Sequence, residues 1–204
     1  MLFRTNVYIV PARSRLPARI AYRAISKLPG KKPCFITTIH GLYSVKRYSS
    51  IMARGDQVIV VSKTAKKYVI QHYSRYLKGL PNLIYRGIDP DEFPYNFTPS
   101  SGWLDDWNRK YPNLVNKKIV LLPGRLTSLK GAKDLLFWLK NNNDNAKLIL
   151  TSEITTNEYS QHLYDFFQSH QVSDKIIWVG IQSSMAEIYA ISDVVVSVSK
   201  RPES

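Results

Sequence analysis

The sequence predicts an α/β protein with two parallel sheets, each covered by helices. Three observations carry that reading. Short runs dense in Val, Ile and Leu recur along the chain, as strands buried on both faces require. Stretches with apolar residues at helical spacing separate them, which is the alternation of βαβ units. The rhythm breaks at "DPDEFPYNFTPSSG" (residues 89–102), where Pro, Ser and Asn accumulate. That break predicts a first domain over 1–89, a connection over 90–117 and a second domain over 118–204. Two such sheets facing each other would hold a ligand in the cleft at their strand carboxyl ends.

In chain order, "NVYIV" reads as a strand and "LPARIAYRAISKL" as a helix with Pro17 in its first turn. "PCFITTI" is a strand ending at His40-Gly41. "VKRYSSIMARG" reads as a helix closed by Gly55 in the left-handed conformation common past helix ends. "DQVIVVS" is a strand, followed by the helix "KTAKKYVIQHYSRYL" with Ser62 as its cap. "NLIYRGI" is the next strand, and "SSGWLDDWNRKYP" a short helix in the connection. The second domain supplies four strands: "KKIVLL", "AKLILTS", "KIIWVG" and "DVVVSVS". Its helices are "AKDLLFWLKN", "NEYSQHLYDFFQSH" and "SMAEIYAIS"; Phe137 and Trp138 fall at helical spacing with Leu135 and Leu136 and read as core.

Composition sets the bounds. The 44% apolar and 12% aromatic content describes a folded chain of 204 residues, with no run of membrane-span length and no signal-peptide pattern at its start. Cys34 is the single cysteine, so an intramolecular disulfide is excluded and a reducing, cytoplasmic setting is expected. In that setting the sequon Asn96-Phe97-Thr98 stays unmodified. Charge is unevenly divided: residues 1–88 hold 17 Lys and Arg against Asp56 alone, a balance of +16, whereas residues 89–204 hold 12 against 14. A half so basic points to an anionic partner, nucleic acid or an anionic membrane surface; a solvated basic surface is the plainer reading.

The densest chemistry lies in "LPGRLTSLKG", between a strand and a helix. That is where an open α/β sheet binds anions through backbone N–H groups and the helix dipole. Gly124 and Gly131 permit tight turning, Arg125 offers two parallel hydrogen bonds to a phosphate, and Lys130 adds a compact charge. The order Lys130-Gly131-Ala132 excludes a P-loop, and no G-x-G-x-x-G is present.

"PGRLTSLKG" together with "DVVVSVSKRPES" resembles the GT-B glycosyltransferases of family 4. In the first half, "PARSRLPARIAYRA", "TTIHGLYS", "MARGDQVIVVS" and "YRGIDPDEF" resemble the bacterial subgroup that builds the lipopolysaccharide core. The resemblance implies a GT-B fold of two Rossmann-like domains, and retaining transfer of a sugar from a nucleotide-sugar to a glycolipid or glycan acceptor. It implies a donor-diphosphate site at Gly124, Arg125 and Lys130, and a second motif that Asp193, Ser199 and Glu203 begin. It puts Glu203 against the donor sugar and His40 near the reacting sugar and acceptor. The turn "GIQSSM", with Gly180, Ile181 and Met185, could touch the nucleotide base, Met185 reading otherwise as helix packing; Arg13 and Arg15 could bind an anionic acceptor, and a solvated loop explains them nearly as well. No metal or other cofactor is expected, because fixed cations and N–H groups can stabilise the leaving diphosphate.

The family's second acidic residue and its upstream Gly-rich loop are absent here, so an internal fragment, incomplete in both domains, is expected. The implied location is cytoplasmic, peripheral at the inner face of the membrane, held by the basic helix from Lys63 to Lys78. A catalytically inert remnant of the same fold and a nucleic-acid-binding module stay open as alternatives.

Overall fold

The computed structural model describes residues 14–142, 145–154 and 157–200. "NVYIV", Arg13 and Glu203 lie outside the described residues. The chain divides into two units, one ending at Gly87 and the other beginning at Ile88.

The first unit is built on three parallel strands in the order β1-β2-β3: β1 Ile36–Ile39, β2 Gln57–Val60 and β3 Asn82–Leu83. Helix α1 (Arg15–Lys27) buries Ala18 against Phe35, Ile39, Met52 and Val60. Helix α2 (Lys63–Tyr73) adds Ala65, Val69 and Tyr73, and its cap forms as expected, Ser62 Oγ accepting from the Ala65 N–H at 3.0 Å. The expected helix over "VKRYSSIMARG" is instead a buried 3₁₀ turn, Ser49–Ala53. Thr37 Oγ1 donates to the Met52 carbonyl at 2.6 Å, a bond that ties the turn to β1. Gly55 has an ordinary negative φ. Its missing side chain serves packing: a Cβ there would lie 2.5 Å from the Gln57 carbonyl and 3.1 Å from that of Phe35.

The second unit holds four parallel strands in the order β6-β5-β4-β7: β4 Lys118–Leu122, β5 Ala146–Leu150, β6 Ile176–Trp178 and β7 Val194–Val195. Alternate residues feed two cores, which is why the strands read as unbroken apolar runs. Leu122, Leu148 and Leu150 face Leu139, Leu163 and Phe167 of α4 (Leu136–Asn141) and α5 (Glu158–Ser169). Ile119, Leu121 and Ile149 face the other way, toward Trp107 of α3 (Ser101–Lys110) and Ile188 of α6 (Met185–Ala190). So α3, placed in the connection by the sequence, packs into this unit, with the rings of Trp103 and Trp107 stacked at 5.0 Å. Phe137 departs from its reading as core: it is 80% exposed, because Leu135 and Leu139 take the inward face of a short helix.

Candidate functional site

In open parallel sheets, ligand-binding loops gather at the carboxyl ends of the strands. Three such loops meet in the second unit. Pro123, Gly124 and Arg125 follow β4, Thr151 follows β5, and Ile181 and Gln182 follow β6. With Met185 and Tyr189 of α6 they line a groove of about 560 Å³. Arg125 is exposed there, opposite an apolar wall made by Ile181, Met185 and Tyr189. Phe93 supports that wall, its ring meeting Tyr189 edge-on at 6.2 Å.

The loop after β4 is shaped by two left-handed glycines, Gly124 at φ 95° and Gly131 at φ 70°. Gly124 donates its N–H to Thr151 Oγ1 at 2.8 Å, so that N–H holds two loops together rather than awaiting a ligand. Gly131 lets the loop press on the segment after β7: a Cβ there would sit 2.1 Å from the Val198 carbonyl. The Lys200 N–H donates to the Leu129 carbonyl at 2.9 Å, closing the same contact. Lys130 ends a 3₁₀ turn, Ser128–Lys130, and is half-buried. A second 3₁₀ turn, Ala132–Leu135, separates Gly131 from the six-residue α4. The expected helix dipole is therefore short, and the cationic side chains carry more of the electrostatics.

The geometry brings Gly124, Arg125, Ile181 and Met185 onto one groove; Lys130 and Gly180 belong to the same loops but do not line it. Gly180 has φ 75° and lies beside Glu153. His40 follows β1 directly in the first unit and is half-buried. Tyr68 and Tyr73 of α2 pin the loop beyond it by donating to the carbonyls of Tyr43 and Ser44, at 2.5 and 2.9 Å. Arg15 is engaged locally: its guanidinium lies over the rings of Tyr43 and Tyr48 and donates to Ser49 Oγ at 3.3 Å. Asp193, at the opposite end of β4 from the groove, accepts from Lys118 Nζ and from the Ile119 N–H, each at 2.8 Å. Those two bonds hold its carboxyl below the usual carboxylate range and make it a strand fastener. Gln182 lies in the turn from Gly180 to Met185 that the sequence put near the base, whereas Thr151 had no signal beyond being a polar residue at the carboxyl end of an apolar strand. Among the described residues no three His, Cys, Asp or Glu side chains gather to hold a metal ion.

The family model of Glycosyltransferase Family 4 matches residues 1–92. No curated protein matches the chain. Among solved structures, a glycosyltransferase from Rickettsia africae ESF-5 is similar at a TM-score of 0.77 and 29% identity, over 97% of this chain and 53% of that one. HepE of Anabaena, solved with UDP-glucose, gives 0.79 at 17% identity, over 96% and 54%. The lipopolysaccharide outer core galactosyltransferase WaaB gives 0.60 at 15%, over 94% and 50%. The chain thus spans about half the length of these structures, and it shares their GT-B fold.

Proposed function

We propose that this chain, with its family 4 segment and GT-B fold, serves an enzyme that moves a sugar from a nucleotide-sugar to a glycan or glycolipid acceptor. The carrying observation is the groove where the Arg125 loop meets the Ile181–Met185 turn. Arg125 and Lys130 take the donor diphosphate, and the apolar wall takes the base. In the transfer, the bond from the anomeric carbon to the diphosphate oxygen breaks and its electron pair leaves with the diphosphate. The acceptor hydroxyl oxygen bonds to that carbon with retained configuration, and its proton passes to the departing phosphate oxygen. Fixed cations stabilise the charge that develops on the leaving group. Glu203 contacts the sugar hydroxyls and His40 the reacting sugar. The UDP-glucose complex of HepE supports a uridine donor, and the outer-core activity of WaaB supports a lipopolysaccharide-type acceptor.

Calorimetric titration with UDP tests the donor site. A charge-assisted phosphate contact contributes roughly 1.5–3 kcal/mol, so Arg125→Ala and Lys130→Ala should each weaken binding about tenfold or more. Unchanged affinity in both variants would sink the assignment.

A membrane-borne acceptor would require the enzyme to work at the inner face of the membrane, and on this reading charge holds it there. No helix among the described residues is long and apolar enough to cross a membrane. Of the cations expected to face lipid, Lys78 is paired with Asp56 and Arg75 lies against the Tyr76 ring. Lys63, Lys66 and Lys67 remain, on one surface of α2 with Ile70. Each contributes about 1 kcal/mol near an anionic surface. The triple Lys→Gln variant should therefore lose about a hundredfold in co-sedimentation with anionic vesicles. Equal retention by neutral vesicles, or retention in molar salt, would rule out this attachment.

A further inference from the structure

We infer that the first unit carries a binding site for a phosphomonoester, where four arginines converge between α1 and the turn Ser49–Ala53. Arg19 and Arg23 stand one helical turn apart on α1, Arg47 precedes the 3₁₀ turn and Arg54 follows it. With Tyr22 and Ser50 they line a concavity of about 210 Å³. A water occupies about 30 Å³ of liquid, so a phosphate group fits with part of its hydration.

Like charges one turn apart weaken a helix, as Arg19 and Arg23 do here, and a bound anion would offset that. The described residues of this unit cannot neutralise the cluster. Asp56 is their one carboxylate, and it already accepts from Lys78 and from the Phe35 N–H. Two of the arginines rest on rings: the Arg19 guanidinium lies over Tyr48 at 5.1 Å and that of Arg54 over Tyr76 at 4.8 Å. Ser50 Oγ donates to the Arg47 carbonyl at 2.8 Å and closes the turn that carries Arg47. Four guanidiniums suit a dianion, and a phosphomonoester carries close to two charges at neutral pH where a diester carries one.

The rest of the ligand has a place as well. Tyr22 and Arg54 also wall an adjoining cavity of about 650 Å³, with Ile25, Phe35, Lys31 and Lys32 among its lining. Pro33, Cys34 and Phe35 also line the larger cavity, which puts it at the amino end of β1, the opposite end from His40. His40, Arg125 and Lys130 line neither cavity, so the site stands or falls without them. Its ligand is a phosphomonoester on an organic body, taken from a soluble sugar phosphate or from a lipid headgroup.

Calorimetric titration of the full chain with inorganic phosphate and with glucose 6-phosphate tests this. Each should bind saturably, glucose 6-phosphate at least as tightly. Arg23→Gln with Arg47→Gln should weaken both by about tenfold or more. Arg109→Gln with Lys140→Gln removes the same charge from exposed positions of the second unit and should leave both unchanged. Should the arginine pair unfold the chain, Arg47→Gln alone, on an exposed loop, gives a smaller loss in the same direction. Retention on phosphatidic acid vesicles that depends on the arginine pair assigns the phosphate to a lipid headgroup; absence of retention assigns it to a soluble compound. No saturable phosphate binding, or equal weakening by the Arg109 and Lys140 pair, overturns the site.

Discussion

The two units fasten their sheets with the same device and then diverge. In the first, the Asp56 N–H donates to the Phe35 carbonyl at 2.7 Å, and the Asp56 carboxylate accepts back from the Phe35 N–H at 2.7 Å. In the second, the Asp193 N–H donates to the Ile119 carbonyl at 3.0 Å, and its carboxylate accepts from the Ile119 N–H at 2.8 Å. Each aspartate stands directly before a strand, and each also holds a lysine, Lys78 or Lys118. A parallel ladder leaves an unpaired N–H where a strand begins, and a carboxylate placed before the neighbouring strand supplies the acceptor. The amino ends of both sheets answer one physical demand, so they look alike. The carboxyl ends and outer surfaces answer to ligands, and there the units differ. The second places one cation, Arg125, on its groove; residues 1–87 hold 17 Lys and Arg with one carboxylate among them.

Two glycines sharpen this comparison most. Gly131→Ala asks an L-residue to adopt φ 70° and drives a Cβ to 2.1 Å from the Val198 carbonyl. The left-handed conformation alone costs about 1–2 kcal/mol, and the backbone clash should carry the total past about 3 kcal/mol. Gly55→Ala meets the Gln57 carbonyl at 2.5 Å with no such φ, and about 1–3 kcal/mol is expected from overpacking. Urea unfolding measures both, and UDP titration should detect Gly131→Ala alone. Equal stability losses with intact UDP binding in both variants would show that the groove loop is no more constrained than the strand entry.

The paired aspartates come next. Asp→Ala at either position leaves a strand N–H short of its acceptor. With the carboxylates 38% and 35% exposed, water makes up part of the loss, and about 1–2 kcal/mol is expected for each. Lysine and backbone donors hold both carboxyl groups below their ordinary range. A carboxylate depressed by folding stabilises the fold above its unfolded pKa, about pH 4, and that contribution disappears as pH falls through the folded value. Urea midpoints of the parent should thus drop between about pH 5 and pH 2 more steeply than those of either variant. Parallel pH profiles would break the equivalence of the two fasteners.

The central strands of both units were legible because parallel strands covered by helices must be apolar throughout; "NLIYRGI" and "DVVVSVS" form strand only over Asn82–Leu83 and Val194–Val195. What the sequence hid is tertiary. "SSIMA" carries the apolar content of a helix, yet the bond from Thr37 to Met52 ties it to β1 as a 3₁₀ turn. Gly131 was visible as a glycine, but its reason is a carbonyl far along the chain, at Val198. Arg125 was found through its motif, whereas Thr151 belongs to the groove only because β5 lies beside β4. The basic balance of the first half was plain; that Arg19, Arg23, Arg47 and Arg54 share one concavity depends on how α1 meets the turn after Arg47.

The smallest expected effect separates charge kept for stability from charge kept for a partner. Helices α2 and α5 are capped alike, Ser62 and Asn157 each accepting an N–H at 3.0 Å. Their first turns differ: α5 opens with Glu158, which suits the positive end of the helix dipole, whereas α2 opens with Lys63, which does not. If Lys63 serves an anionic surface, its replacement should improve the fold and weaken attachment together. Lys63→Glu is expected to raise stability by about 0.3–1 kcal/mol, and Glu158→Lys to lower it by a similar amount. The same Lys63→Glu protein should be retained less by anionic vesicles, while Glu158→Lys should not. A Lys63→Glu variant that loses stability would mean that the basic first turn of α2 is satisfied within the protein, and that its charge is structural after all.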